Sequence, residues 1–508
     1  MTPARCPTWL VLLAAAIQVA GAARSSLPAQ DGLKFLRVAR EFQTRSFADV
    51  IRHCDQHPLY PICVASAEPI VSALIGPGPD AWRIGGQVVS MAAILAAIYP
   101  VFGLTRNLFD ARTATLAAMM FALLPATSEI GHDTLSDALA LLGLAWSLRL
   151  GERSLRTGST RDLIACGLAA GLGYWARPEV LLAPAAVGLV RLTRAGISLD
   201  ARLRGLAAVA LPALVLIGGY ATLKGEVSER LVIRLKIAAR PATTPPDRRF
   251  IDPKLDFSAK EQSATREVDG LRSASLRLLG AWAEGLGFVF AATAIWGAMK
   301  VGAGGGRSLI SIYLAMFACL IVVHAATVGY LSGRHALGGV MATLPWAAAG
   351  ARAILRSILG RVEPDEATIR RRCLLAMAAM TVVAIGVQAR KSPHPSRWGH
   401  LAAGRWLREN ARPGEATLDT RGWAAFVSGG PSYDYWHVRQ ALTDAQLRYI
   451  VVGSDELRAS SPRAATLRSL LALTSTLVAT FPSREGGSGD DIRVYGYRHP
   501  TSWEGLSP

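Results

Sequence analysis

Apolar residues along this chain fall in blocks separated by short charged loops. The blocks at 8–23, 83–104, 111–127, 134–149, 162–176, 179–193, 204–222, 279–299, 308–330, 336–351 and 373–388 predict membrane spans, about eleven in all. Between the first two blocks the pattern changes to a helical period. In "DGLKFLRVAREF" Leu33, Phe35, Leu36, Val38, Ala39 and Phe42 share one face, while Lys34, Arg37, Arg40 and Glu41 share the other. This predicts an amphipathic helix lying in the headgroup layer. "SFADVIRHC" follows as a shorter helix, with Ser46 and Asp49 in capping spacing. The two prolines of "DQHPLYP" predict a turn beside His57 and Tyr60, and "ICVASAEPIVSALIG", interrupted by Glu68-Pro69, predicts an interfacial segment.

The pattern changes again near residue 390. "GHLAAGRWLREN" reads as a helix, "EATLDT" and "LRYIVVGS" as strands, and "STLVATFPSREGGSGDDIRVYGYRH" as a hairpin around a Gly-rich turn. The expected architecture is mainly α: a polytopic transmembrane bundle over 1–389, with a first outer loop at 24–82, and a small extracytoplasmic α/β domain over 390–508.

Composition agrees with a membrane protein. The chain has 508 residues, 51% hydrophobic and only 18% charged, against about 25% charged in soluble domains. A net charge of +18 raises the question of nucleic acid, but no basic patch is interleaved with aromatics. The arginines gather instead in alternate short loops, among them Arg106 and Arg112, Arg149 to Arg161, Arg191 to Arg204, and the run from Arg352 to Arg372. The positive-inside rule then puts the N-terminus in the cytoplasm and the polar segments 24–82, about 223–278 and the tail on the outer side. The expected location is a bacterial cytoplasmic (inner) membrane. The first block, with Arg5 and "AGAA", also has the look of a signal peptide. Cys54 and Cys63 share one polar loop, as a disulfide or as two free thiols. No spacing suggests a structural metal.

The outer ends of the spans carry ionisable residues, which are costly near membrane depth and point to function. Asp31 opens the amphipathic helix, where a carboxylate can also serve as a cap. Asp133 and Asp137 lie four apart in "GHDTLSDALALL", on one helical face; Arg177 and Glu179 flank Pro178 in "YWARPEVLL"; Arg334 and His335 sit in "GYLSGRHALGG". Each has an ordinary explanation in capping, local pairing or snorkelling. Together they suit a site that activates a hydroxyl with a carboxylate and holds a phosphate with arginine.

In the order of these features the chain resembles the GT-C class of membrane glycosyltransferases, in the branch of the protein mannosyltransferases (family 39) and bacterial aminoarabinose transferases. The resemblance rests on the acid after the first span, "HPLYP", "LFDARTATLAAMMFALLP", "DTLSDALALL", "RPE" and "GRHALGG". It implies a polyprenyl-phosphate sugar donor, an acceptor hydroxyl on protein, lipid or glycan, inversion at the anomeric carbon, and Asp31 as general base. Arg177 and Arg334, assisted by His335, would stabilise the leaving phosphate. Asp133 or Asp137 would hold the acceptor or a divalent cation, the only cofactor in view; Glu179, His57 and Tyr60 complete the substrate-binding candidates. Many relatives have Asp-Glu where this chain has Asp31-Gly32, which puts metal assistance and donor preference in question. The competing readings are a transporter or flippase of lipid-linked substrates, disfavoured by the absence of an internal repeat, and a non-catalytic membrane scaffold.

Overall fold

The computed structural model describes residues 6–227, 270–300, 305–328, 331–359, 386, 397–460, 462–482 and 490–499. The expected span at 373–388 and most of the second outer segment lie outside them. The helices are α1 (Thr8–Arg24), α2 (Gln30–Thr44), α3 (Phe47–His53), α4 (Leu59–Ile75), α5 (Pro79–Leu108), α6 (Ala111–Leu123), α7 (Pro125–His132), α8 (Asp137–Thr157), α9 (Thr160–Tyr174), α10 (Leu182–Thr193), α11 (Leu199–Lys224), α12 (Gly270–Gly285), α13 (Val289–Lys300), α14 (Gly305–Val328) and α15 (Leu337–Leu359). Among the described residues three helices are long and apolar enough to cross a membrane, or five if the bent pairs α6–α7 and α12–α13 each count as one span. The protein is an integral membrane protein. The number of spans expected from the sequence is not reached in the described residues.

One core joins α1, α5, α6, α8, α9, α10, α14 and α15. Lipid offers no hydrophobic drive for helices to associate, so close backbone approach at small residues does much of the work. A Cβ on Gly143 would meet the Gly173 Cα of α9 at 2.9 Å, and one on Gly297 would lie 2.1 Å from the Trp346 carbonyl oxygen of α15. The expected span at 279–299 is broken: α12 and α13 meet at 102°. The break falls at Gly287 and Phe288, both left-handed with φ of 68° and 51°, a conformation no helix continues through.

The first outer loop also departs from its expectation. Pro58 and Pro61 do not break a helix; Pro58 precedes α4 and Pro61 lies in its first turn, where the missing N–H costs nothing. The "ICVASAEPIVSALIG" segment belongs to this one helix, which runs through Pro69. Helix α2 is amphipathic as predicted, but protein covers its apolar face. Phe35, Leu36 and Ala39 pack on Tyr60 and Val64 of α4 and on Trp82. Val38 packs on Val50 and Cys54. Cys54 and Cys63 are free thiols.

The C-terminal α/β unit is a five-stranded sheet in the order β2-β1-β3-β5-β4, from β1 (Ala416–Asp419), β2 (Ser432–Tyr433), β3 (Leu447–Gly453), β4 (Ser475–Pro482) and β5 (Asp491–Tyr497). β1 runs parallel to β2 and β3, while β5 runs antiparallel to β3 and β4. Asp419, the last residue of β1, accepts backbone N–H groups of Arg421 and Ala425 at 3.0 Å. That tight turn, with Gly422 left-handed at φ 79°, projects Trp423 toward the bundle, where its indole N–H donates to the Pro28 carbonyl at 2.8 Å. The far face of α2 is held by the same unit: Arg37 pairs with Asp434 at 3.3 Å, and the Arg40 guanidinium lies 5.4 Å from the Trp82 ring and 5.3 Å from that of Phe426. The helix that the sequence predicts in the headgroups is therefore clamped between bundle and sheet domain.

Candidate active site

Four helices begin at one place. α2 and α8 start there directly, while α10 and α15 are each preceded by a 3-10 turn, Pro178–Leu181 and Gly333–Ala336. Helix starts present unpaired N–H groups and the positive end of the dipole, so acids gather there and an anion is welcome. Asp31 lies in the first turn of α2 and Asp137 opens α8. Arg177 immediately precedes the first 3-10 turn, which contains Glu179, and Arg334 lies in the second.

These five side chains form a line of alternating charge. The Arg334 Nη2 donates to the Asp31 Oδ2 at 2.6 Å, and its Nη1 lies 3.8 Å from the Asp137 Oδ2. Arg177 bonds the other oxygen of Asp137, and its Nε reaches the Glu179 Oε1 at 2.6 Å. The two ends differ from the middle: the Asp31 side chain is 45% exposed and that of Asp137 only 5%. Asp137 is a buried pivot that orients both guanidiniums, and Asp31 faces outward.

Burial works against the charge of Arg177, but Asp137, Glu179 and Asp31 outweigh it and hold the guanidinium above its ordinary range. Arg334 is raised in the same way: burial opposes its charge, and Asp137 and Asp31 prevail. His335 goes the other way. Burial first, then the Arg177 charge, push its imidazole down to about 4, so it is neutral at pH 7. Its Nδ1 accepts the Ser332 N–H at 3.1 Å, bracing the turn that carries Arg334.

The remaining candidates sit elsewhere. Asp133 does not share a helical face with Asp137, because α8 begins only at Asp137. Asp133 lies in the loop before it and is buried. Its Oδ1 accepts the N–H groups of Ala29 at 2.7 Å and Thr134 at 2.8 Å, and its Oδ2 faces Arg397 at 3.2 Å. The first of these bonds holds Ala29, the N-cap residue of α2, whose own side chain makes no cap bond; Asp31 accepts from Arg334. His57 is buried, stacked on Tyr220 at 5.4 Å and edge-on to Tyr174 at 5.3 Å. Tyr60 is buried beneath α2 and donates to the Gly86 carbonyl at 2.8 Å. Neither joins the line of charges. Among the described residues no three His, Cys, Asp or Glu converge as ligands for a metal ion.

Two contributors escape sequence reasoning. Arg397, from the start of the C-terminal unit, bridges Asp133 and the Leu27 carbonyl at 2.9 Å and so ties that unit to the entry of α2. A single arginine in a polar stretch carries no periodic signal. Thr134 explains Gly32: a Cβ there would fall 1.9 Å from the Thr134 Oγ1 and 2.8 Å from its carbonyl oxygen. The second acid that the family resemblance leads one to expect has no room in this packing.

Comparison with known proteins bears on the fold. ArnT from Cupriavidus metallidurans aligns with a TM-score of 0.60 at 13% identity, covering 99% of this chain and 99% of that one. The same protein bound to undecaprenyl phosphate aligns with a TM-score of 0.60 at 12% identity over 99% of both chains. The oligosaccharyltransferase of Archaeoglobus fulgidus aligns with a TM-score of 0.51 at 13% identity, over 97% of this chain and 74% of that one. The chain has the GT-C fold. The family model of dolichyl-phosphate-mannose-protein mannosyltransferase matches residues 61–220, the stretch that supplies Asp137, Arg177 and Glu179 to the site. No curated protein matches the chain.

Proposed function

We propose that the protein is a membrane glycosyltransferase of hexosyl type, moving a sugar from a polyprenyl-phosphate donor to an acceptor hydroxyl with inversion, at the outer face of a bacterial cytoplasmic membrane. The observation that carries this reading is the half-exposed Asp31 carboxylate paired to Arg334, at the head of a charge line anchored on buried Asp137. The fold shared with a protein solved with undecaprenyl phosphate supports the donor class, and the arginine-rich alternate loops support the orientation.

The chemistry follows from the charges. In the resting pair the Asp31 carboxylate is engaged by Arg334. A donor phosphate competes for Arg334, and charge-assisted guanidinium–phosphate bonds are strong enough to redirect it. Asp31 is then released to accept the proton of the acceptor hydroxyl. That oxygen bonds the anomeric carbon from the face opposite the phosphate, through an oxocarbenium-like state. The bond from carbon to phosphate oxygen breaks, and both electrons leave with the lipid phosphate. Arg334 and Arg177 neutralise the departing charge, held in place by Asp137. Asp133 acts at one remove, by fixing the entry of α2.

The test uses the purified protein in liposomes with a panel of polyprenyl-phosphate sugars. A glycosyltransferase releases free polyprenyl phosphate. A protein that moves the donor across the bilayer with its glycosidic bond intact would overturn the reading.

A further inference from the structure

We propose that the cavity between the bundle and the C-terminal unit holds one anionic phospholipid, whose head is gripped by the first helix of that unit. The cavity has a volume of about 550 Å³. Its walls are the last turns of α1, the chain at Ser26 and Leu27, and α5 from Pro79 to Met91. That stretch of α5 covers about 18 Å at 1.5 Å per residue. It therefore reaches from the start of the span well into one leaflet of a hydrocarbon core about 30 Å thick. Two lining residues, Val19 of α1 and Val88 of α5, are 56% and 40% exposed, so the cavity opens toward the lipid-facing sides of both helices.

The roof is the helix Trp398–Asn410. Trp398, Leu401, Arg405 and Arg408 recur on it at helical spacing and share one face. Leu401, Arg405 and Arg408 line the cavity, and Trp398 stays 40% exposed at the helix start. An aromatic anchor at the head of a basic face suits a helix lying at a membrane surface. Of the charged residues that line the cavity, Asp80 and Arg83 satisfy each other at 3.0 Å, and Arg83 also donates to the Ser25 carbonyl at 3.0 Å. The other charged residues in the lining are both arginines. Arg408 gives an N–H to the Val427 carbonyl. Arg405 makes no hydrogen bond, ion pair or ring contact among the described residues. Glu409, the acid nearest to them in the chain, does not line the cavity.

Guanidiniums above apolar walls at an interfacial depth match an amphiphile with an anionic head. Arginine forks engage phosphate oxygens, and Val88 and Met91 meet the first carbons of the acyl chains. Basic pockets beside transmembrane helices bind anionic lipid heads in this way. The bias that places arginines in short loops does not account for these two, since α5 reaches such a loop at its other end, at Arg106. The bound lipid bridges α1 and α5 to a unit that Trp423 and Arg397 already hold from within. The site is independent of the role given to Asp31.

The test compares detergent-purified, delipidated wild type with and without dioleoyl phosphatidylglycerol, by native mass spectrometry and by thermal unfolding. We expect one retained lipid and a midpoint raised by about 2–4 °C. In R405Q/R408Q retention falls about tenfold and the shift is lost. R405K/R408K keeps the charge and most of the retention, and D31N keeps both effects in full. R405Q alone separates lost recognition from lost folding, because Arg405 makes no bond among the described residues. Its lipid-free midpoint should stay within about 2 °C of wild type while retention falls, and unchanged retention overturns the proposal. Equal protection by phosphatidylcholine would mean that no anionic head is recognised. Equal protection by inorganic phosphate would mean that the lipid is not the ligand. Displacement of the retained lipid by equimolar polyprenyl phosphate would assign the cavity to the donor. Each of these three results overturns the proposal.

Discussion

Asp31 and Asp133 invite comparison, since each faces an arginine from far along the chain, Arg334 and Arg397, at the same end of the bundle. Asp133 and Arg397 are sealed, with side chains 2% and 11% exposed. The Asp133 oxygens are spent on two backbone N–H groups and a guanidinium. Asp31 and Arg334 are 45% and 37% exposed, and Arg334 is shared with Asp137. A buried pair with every bond made is a clamp, because breaking it strands a charge away from water. A half-exposed pair whose arginine has a second carboxylate to lean on can exchange partners at small cost. Residue type does not separate the two aspartates; burial does.

The largest effect expected from this contrast is on stability at the clamp. Asp133→Ala leaves Arg397 without its carboxylate and should cost about 3–5 kcal/mol, read as a lowered unfolding midpoint and faster proteolysis between the bundle and the C-terminal unit. Arg334→Lys keeps the charge but loses the planar fork that spans Asp31 and Asp137. It should lower transfer about 10–100-fold with the midpoint unchanged, and a matched loss of folding would place this pair with the clamp. Gly32→Ala drives a methyl into Thr134 and should cost about 1–3 kcal/mol. Thr134→Ala in the same chain should return part of that loss, since the carbonyl contact remains.

A smaller effect than that at the clamp concerns pH and lies in the C-terminal unit. His400 is buried against Trp423, and neither ring nitrogen meets a partner among the described residues. Burial, then the Arg421 charge, push it down to about 3. An unfolded histidine binds its proton below about pH 6.5. Between pH 3 and 6.5, roughly, the unfolded chain therefore binds more protons, so stability is present above that window and is lost as pH falls through it. His400→Leu should reduce the acid loss at pH 5 by about 2 kcal/mol, measured as denaturation midpoints at pH 7 and pH 5.

The C-terminal sheet was legible because strand periods are local: "EATLDT" and "LRYIVVGS" became β1 and β3, where the pattern placed them. The helical period of α2 was legible too, but a period reports that a face is covered and not what covers it. Its apolar stripe suits headgroups as well as Tyr60 and Trp82. The bend after Gly285 was missed because hydropathy averages across "GLGF", where backbone conformation rather than polarity ends the helix. Asp31, Asp137, Arg177, Glu179 and Arg334 were legible as a group through topology, which brings helix starts together without naming their contacts. Asp133 was grouped with Asp137 by spacing, and only the position of the helix start separates them. His57 and Tyr60 were drawn in by the conspicuous "HPLYP" turn, whose prolines serve to start α4. Arg397 and Thr134 had no sequence signal, since their roles exist only once distant segments meet.

The direct test of Asp31 is transfer from polyprenyl-phosphate sugar by Asp31→Asn, measured beside its thermal midpoint. The account predicts transfer lower by about 10²–10⁴-fold, with a midpoint close to that of the wild type. Transfer within about twofold of wild type, less than 0.5 kcal/mol in barrier, or a loss that merely follows unfolding, as expected for Asp133→Ala, would contradict it.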